Sequence, residues 1–279
     1  MDRHVQARKA QAFRELHRRP EILLLPNAWD AGSARVFEQR GFAAVATTSG
    51  GMAWSLGYAD GEQAPLDALL GAVARIARCV ELPLSVDMET GFGADPAAVG
   101  EAVRAMIDAG AAGINLEDGL PGHGPLREQA DAAARIRAAR EAADAAGVPI
   151  VINARVDAWL QPRTTAPVAC LAEALERARA YLAAGADCIF PLGLDDPDTL
   201  AAFVQALAAP VNVAALPGMP ALAALAQLGV ARVSTATRFA CLALGAVDRA
   251  AAELLRTGSF DVFGTGFGYP DAQRLFATH

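Results

Sequence analysis

Leu84-Ser85-Val86-Asp87-Met88-Glu89 and Gly113-Ile114-Asn115-Leu116-Glu117-Asp118 decide the fold. Each is a short apolar run that turns acidic at its carboxyl end. Between them lie a helical pattern over residues 96–109 and a stop glycine, Gly110. Two apolar runs joined by an amphipathic stretch of that length form a strand–helix–strand unit with parallel strands. The same alternation continues outward in both directions. Further strands are predicted over residues 23–27, 43–49, 150–157, 188–192, 211–215 and 232–235, eight with the first two. Further helices are predicted over 31–39, 65–79, 126–146, 168–183, 197–208, 220–227 and 238–256. Glycines close several of them, as at Gly41, Gly147, Gly185 and Gly229. Eight such units favour an α/β fold closed into a (β/α)8 TIM barrel over an open doubly wound sheet. The chain has 279 residues and no Pro- or Ser-rich linker, so residues 1–279 read as a single barrel domain. A helix over 1–16 precedes the first strand. A loop rich in glycine and aromatics, 258–269, leads to a last helix over 270–276, so 258–279 reads as a carboxyl-terminal arm.

Composition narrows the function. Apolar residues make up 53% and charged residues 20%, which excludes a disordered scaffold. The net charge of −7 disfavours nucleic acid and anionic membrane surfaces as partners. No apolar run reaches the roughly 18 residues needed to span a bilayer. The amino end is polar and basic and lacks the apolar centre of a secretory signal. Cys79, Cys170, Cys188 and Cys241 are dispersed with no CxxC pair, which fits reduced thiols in a cytoplasmic protein. Lys9, in the polar amino-terminal segment, is the only lysine. Schiff-base and pyridoxal-phosphate chemistry both need a desolvated lysine amine, so carbanion chemistry here requires another electron sink.

Polar side chains gather at the carboxyl ends of the strands, the face where barrel enzymes place their active sites. Asn27 ends the first strand, and Thr48 and Ser49 end the second. Asp87 and Glu89 end the third, Glu117 and Asp118 the fourth, Arg155 and Asp157 the fifth. Residues two apart share a strand face, so Asp87 and Glu89 point together, with Glu117 beside them. Crowded carboxylates in a poorly hydrated mouth either titrate to neutrality or hold a cation. An all-oxygen set favours Mg²⁺, with Mn²⁺ the alternative, over Zn²⁺; solvated acids or salt bridges to arginines are the competing reading. Asp60, in the loop after strand two, reads by itself as an ordinary loop acid. Arg155 suits either a substrate carboxylate, gripped through two bonds, or an ion pair with Asp157 or Asp118. His123 lies in a glycine-rich loop after the fourth strand; it is either a solvated loop residue or a proton donor. Cys188 and Cys79 read as inert thiols, and Trp29, Trp54 and Trp159 as packing or mouth-wall residues.

Together these pieces resemble the isocitrate lyase/phosphoenolpyruvate mutase superfamily, in its phosphoenolpyruvate mutase-like subgroup. The likeness runs from Leu23-Leu24-Leu25-Pro26-Asn27 to Val233-Ser234-Thr235. Its most specific parts are Leu56-Gly57-Tyr58-Ala59-Asp60-Gly61-Glu62, Val86-Asp87-Met88-Glu89-Thr90-Gly91-Phe92-Gly93, Gly113-Ile114-Asn115-Leu116-Glu117-Asp118 and Ala154-Arg155-Val156-Asp157. The resemblance implies a Mg²⁺-binding barrel, as a homo-oligomer, usually a tetramer exchanging carboxyl-terminal helices. It implies that Asp87 contacts the metal directly while Asp60, Glu89 and Glu117 hold its water shell. Thr48, Ser49 and Gly50, beside Asn27, would receive the carboxylate of a pyruvate-like unit, and Arg155 would steady the reacting oxygen. The shared chemistry is a pyruvate enolate stabilised by magnesium.

Departures refine the expectation. Lyases of the family carry a Lys-x-Cys-Gly-His type loop after the fourth strand, and phosphonate mutases a Lys-x-Asn-Ser type loop. Here Leu120-Pro121-Gly122-His123-Gly124-Pro125 has neither, which leaves His123 as the candidate proton donor. Pro191-Leu192-Gly193 lacks the polar group that several relatives place near strand six, which points to a small or more apolar substrate. The expectation is a Mg²⁺-dependent lyase or decarboxylase of a small 2-oxo or 2-hydroxy carboxylic acid. Phosphonopyruvate mutase or hydrolase activity is one rival; a non-catalytic metal- and oxo-acid-binding barrel is the other.

Overall fold

Pro26 splits the first predicted strand in two. It has no N–H to give, so the ladder of β1 (Leu23–Leu25) stops and the chain re-enters the sheet as β2 (Asn27–Ala28). The Asn27 side chain bridges the break: its Oδ1 accepts from Thr235 N at 2.8 Å, and its Nδ2 donates to Thr47 O at 2.7 Å. The computed structural model describes residues 2–122, 124–161 and 167–277. Its other strands are β3 (Val45–Thr47), β4 (Leu84–Asp87), β5 (Gly113–Glu117), β6 (Val151–Val156), β7 (Cys188–Pro191), β8 (Asn212–Ala214) and β9 (Arg232–Ser234). All pairings between named strands are parallel, in the orders β1-β9-β8 and β2-β3-β4-β5-β6-β7. A parallel bridge between Ile189 and Val211 joins the far ends of the two arcs and completes the ring. The fold is the α/β barrel that the alternation predicts.

The helices are α1 (Arg3–Leu16), α2 (Ala31–Gln39), α3 (Ser49–Ser55), α4 (Leu66–Cys79), α5 (Pro96–Ala109), α6 (Gln129–Ala146), α7 (Pro167–Ala183), α8 (Pro197–Gln205), α9 (Leu222–Gln227), α10 (Arg238–Thr257) and α11 (Tyr269–Phe276). Local chemistry sets their ends. Asp30 and Ser33 form a capping box at α2, and Asp95 caps α5 ahead of Pro96. Gly110 and Gly147 end α5 and α6 in the left-handed conformation. The helix predicted from 126 begins at Gln129 instead. Leu126 is drawn into an antiparallel bridge with Gly119, and Arg127 N donates to Asp118 O at 2.8 Å. Helix α3 is not foreseen by the strand reading of 43–49, since Thr48 leaves the strand to cap it.

Helix α1 closes the amino-terminal end of the barrel. Phe13 is wholly buried with Leu16, Leu23, Leu25, Ala44, Ala46 and Val151, a cluster separate from the larger core between strands and helices. At the other end of the chain, α11 lies on α2 of the same chain, where Arg35 Nε donates to Leu275 O at 2.6 Å. Among the described residues no helix is long and apolar enough to cross a membrane.

Candidate active site

The carboxyl ends of β3 to β6 bring the predicted acids together. Asp87 closes β4, and its backbone N–H is held by Thr47 Oγ1 at 2.9 Å. Its carboxylate accepts from Ser49 N at 3.3 Å and from Glu89 N at 3.4 Å. Glu89, Gly91 and Phe92 all adopt left-handed backbone, with φ of 49°, 108° and 54°. For Glu89 and Phe92 this is strained and needs outside support. Glu62 supplies it. Its Oε1 accepts from Thr90 N (2.8 Å), Thr90 Oγ1 (2.6 Å) and Phe92 N (3.2 Å), and its own N–H donates to Glu89 Oε2 at 2.6 Å. Sequence reasoning gives Glu62 no role; the signal was an acid two residues after Asp60 in the same loop.

Alternation along β5 separates two adjacent acids. Glu117 faces the mouth and pairs with the Arg155 guanidinium. Asp118 points outward, accepting from Tyr181 Oη at 2.6 Å, with Arg177 at 3.3 Å. Arg155 grips Asp157 with two bonds, Nε to Oδ1 at 2.6 Å and Nη2 to Oδ2 at 2.8 Å. Of the two acids expected as ion-pair partners for Arg155, Asp157 takes that place and Asp118 does not. One N–H on Nη1 and one on Nη2 remain uncommitted by these contacts.

Charge accounting shows what the mouth favours. Burial, opposed by Arg155, raises the Asp87 carboxyl above its ordinary range. Burial, reinforced by Asp87 and Asp60, pushes Glu89 up to about 8. Glu117 is raised well above its usual value, again chiefly by burial. Burial works against the charge of Arg155, yet Glu117 and Asp157 keep it above the ordinary guanidinium value. Asp60 belongs to the same group: its charge acts on both Asp87 and Glu89, and a Cβ on Gly50 would lie 3.1 Å from its Oδ2. Such a crowd fits a hydrated divalent cation, which would offset both the burial and the added repulsion that raise these carboxyls. Among the described residues no three His, Cys, Asp or Glu side chains converge as direct metal ligands. An all-oxygen group of this kind suits a cation that keeps several of its waters, as Mg²⁺ does in protein sites.

Beside the acids, Thr48 caps α3, and the first turn of that helix turns toward Asp87. Gly51 has no room for a side chain, since a Cβ would lie 2.6 Å from Thr48 Cγ2 and 2.9 Å from Trp29 Cβ. Thr48, Ser49, Gly50, Asp60, Asp87, Glu89, Glu117 and Arg155 thus meet at one end of the barrel. Asn27 lies at the same end, with its amide engaged in the β2 break. His123 falls outside the described residues. Trp54 borders Gly50, whereas Trp159 packs against Phe203. Cys188 is buried, and desolvation pushes its thiol up to about 12, which makes it a poor nucleophile.

A parallel barrel with an acidic, magnesium-suited mouth and no lysine in it defines an enzyme class that uses a metal where other barrels use an amine. The phosphoenolpyruvate phosphomutase family model matches residues 13–255, and the chain belongs to that family, within the isocitrate lyase/phosphoenolpyruvate mutase superfamily of lyases and mutases. The chain is 33% identical to 2-methylisocitrate lyase of Escherichia coli (strain K12) over 207 residues, 72% of this chain and 68% of that protein. A Burkholderia cenocepacia J2315 protein provisionally described as a lyase/mutase superposes with a TM-score of 0.90 at 40% identity, covering 99% of this chain and 98% of that one. Phosphonopyruvate hydrolase, solved with oxalate and Mg²⁺, gives a TM-score of 0.83 at 27% identity, covering 96% and 94%.

Proposed function

We propose that this protein is a Mg²⁺-dependent lyase that cleaves a C–C bond, or decarboxylates, a small 2-oxo or 2-hydroxy carboxylic acid. The observation that carries it is the group Asp60, Asp87, Glu89 and Glu117 around a single hydrogen-bonded guanidinium, Arg155, at the barrel mouth. Asp87 would hold the cation, with the other three acids on its water shell. When bound, the cation supplies the electron sink that polarises the oxo oxygen and takes up enolate charge. Everything else falls to the chain. The Gly50 backbone N–H, with the Thr48 and Ser49 hydroxyls, receives the substrate carboxylate, while the Ser49 N–H stays on Asp87. The free N–H bonds of Arg155 steady the reacting oxygen while Asp157 fixes the plane of the guanidinium. Glu62 keeps Glu89 in its left-handed pose. His123 is the candidate that delivers the proton to the departing carbon.

The test is incubation of purified protein and Mg²⁺ with a panel of 2-oxo and 2-hydroxy mono- and diacids, followed by detection of pyruvate-type products. Turnover that is lost in Asp87→Ala supports the reading; no turnover, together with no effect of Asp87→Ala on Mg²⁺ binding, ends it. Phosphorus NMR of phosphonopyruvate in the same mixture covers the second reading, motivated by the phosphonopyruvate hydrolase likeness. An unchanged resonance excludes that one.

We further propose that the protein works as a homo-oligomer. Leu242, Val247 and Leu255 on α10 and Phe260, Phe263 and Tyr269 beyond it are all more than half exposed. So large an apolar surface on one arm marks an interface.

A further inference from the structure

Below the acidic mouth the lumen is polar. TIM-barrel interiors are commonly filled by bulky aliphatic residues, but here Ser85, Asn115, Asn153, Cys188, Asn212 and Arg232 are all buried within the strands. Arg232 is the largest of them and is wholly buried. Its Nη2 lies 3.4 Å from Asn115 Oδ1, and that oxygen also accepts from Asn153 Nδ2 at 2.7 Å. Its Cζ stands 5.9 Å from the centre of the Phe13 ring, which closes the barrel beneath it. Among the described residues no carboxylate pairs with Arg232, and its Nε and Nη1 have no hydrogen-bond partner. Asn115 lies directly opposite Asp87 in the sheet register, so the guanidinium sits close below that acid. Burial drags the Arg232 guanidinium down to about 10, opposed by Cys188 and then by the Asp87 charge. An uncompensated buried cation is strongly unfavourable on its own. It is tolerable where a concentration of negative charge lies within reach, and the mouth is the nearest one.

We propose that Arg232 is a positioning residue whose charge, carried beneath Asp87, opposes the metal ion in the mouth and favours the anionic ligand that binds with it. This rests on the reading of the mouth as a site for Mg²⁺ and a carboxylate. The two effects have opposite signs because the cation is repelled from below while the dianion is attracted. A site of acids alone would hold magnesium firmly and an anionic substrate weakly. Arg232 shifts that balance toward the substrate without occupying any of the mouth.

The experiment measures Mg²⁺ affinity of the full chain by calorimetry, then oxalate affinity of the Mg²⁺-saturated protein. Removal of the charge in Arg232→Met or Arg232→Gln is expected to tighten Mg²⁺ and weaken oxalate, each by at least about threefold. Arg232→Lys keeps the charge and is expected to restore both affinities. Arg232→Gln and Arg232→Lys are both polar and smaller than arginine and differ chiefly in charge, so comparing those two reads the charge even if Arg232→Met folds poorly. Loss of both affinities together in the neutral variants, or change in neither, overturns the proposal. Absence of Mg²⁺ binding by the unsubstituted protein overturns the reading of the mouth itself, a distinguishable failure.

Discussion

Arg155 shows how one side chain can be legible in type and open in role. Its place at a strand end was readable, and so was a pairing with Asp157 two residues on, but Glu117 was not, because that acid meets it only across the β5–β6 register. The bidentate grip on Asp157 depends on a planar fork that lysine lacks. Arg155→Lys is therefore expected to lower kcat/KM by at least about tenfold and to lower the melting temperature as a buried Asp157 oxygen loses its partner, as steady-state kinetics and calorimetry would report. Asp118 was equally visible as a strand-end acid, yet alternation turns it outward to Tyr181. Its adjacency to Glu117 in sequence said nothing of a shared task. Glu62 was missed because its work is to hold backbone N–H groups, and nothing in residue type reveals such partners.

His17 carries a second residue-scale prediction, remote from the mouth. It is buried on α1 with Nδ1 against Phe13 O at 2.8 Å, and desolvation, aided by Arg232, pushes its imidazole down to about 3. The unfolded chain takes up a proton near the ordinary value of 6.5, whereas the folded chain does not. Stability tied to His17 is therefore complete above pH 6.5 and is lost progressively as pH falls toward about 3. Denaturation of His17→Gln across that window should show a shallower fall than the parent protein. Parallel slopes would refute the assignment.

Elements were more legible in their middles than at their ends. Helices α2 and α5 fall where the pattern places them, because caps and stop glycines are local signals. Strand ends do not, because the mouth consumes them. Residues 88 and 89, assigned to a strand, lie beyond its end, with Glu89 in left-handed backbone, and Thr48 caps α3. Functional geometry overrode propensity at both points. The loops above the mouth were legible only as loops. Gly61 has φ of +93° and would place a Cβ 2.9 Å from Gly122 Cα, so the loop after β3 rests directly on the loop after β5. Gly61→Ala should cost about 1–3 kcal/mol locally through strain and contact. Measured turnover and Mg²⁺ affinity should both fall, since Asp60 and Glu62 flank Gly61 in the same loop and Glu62 holds Glu89.

At the scale of the molecule, eight repeats were enough to indicate a closed barrel, and the glycine- and aromatic-rich arm over 258–279 was legible as an arm, but the polar lumen was not foreseen. It follows from three-dimensional neighbours that sequence spacing does not carry. The arm makes the simplest prediction. Light scattering after gel filtration should give a mass at least twice that of one chain, and Leu242→Asp with Val247→Asp should reduce it to one. A single-chain mass in the parent protein would leave the apolar arm without its proposed partner.

The ring itself is uneven. Strands β2 to β7 form one continuous ladder, while β8, β9 and β1 form another, and the two arcs meet through a proline break on one side and a lone bridge on the other. All four mouth acids and Arg155 are carried by the six-stranded arc or by the loops leaving it. Breathing at the clasp between Ile189 and Val211 can therefore widen the lumen without pulling the acids apart. Arg232 sits on the three-stranded arc, so a shift at that clasp would move the guanidinium relative to the acids and leave the spacing of the acids to the six-stranded ladder.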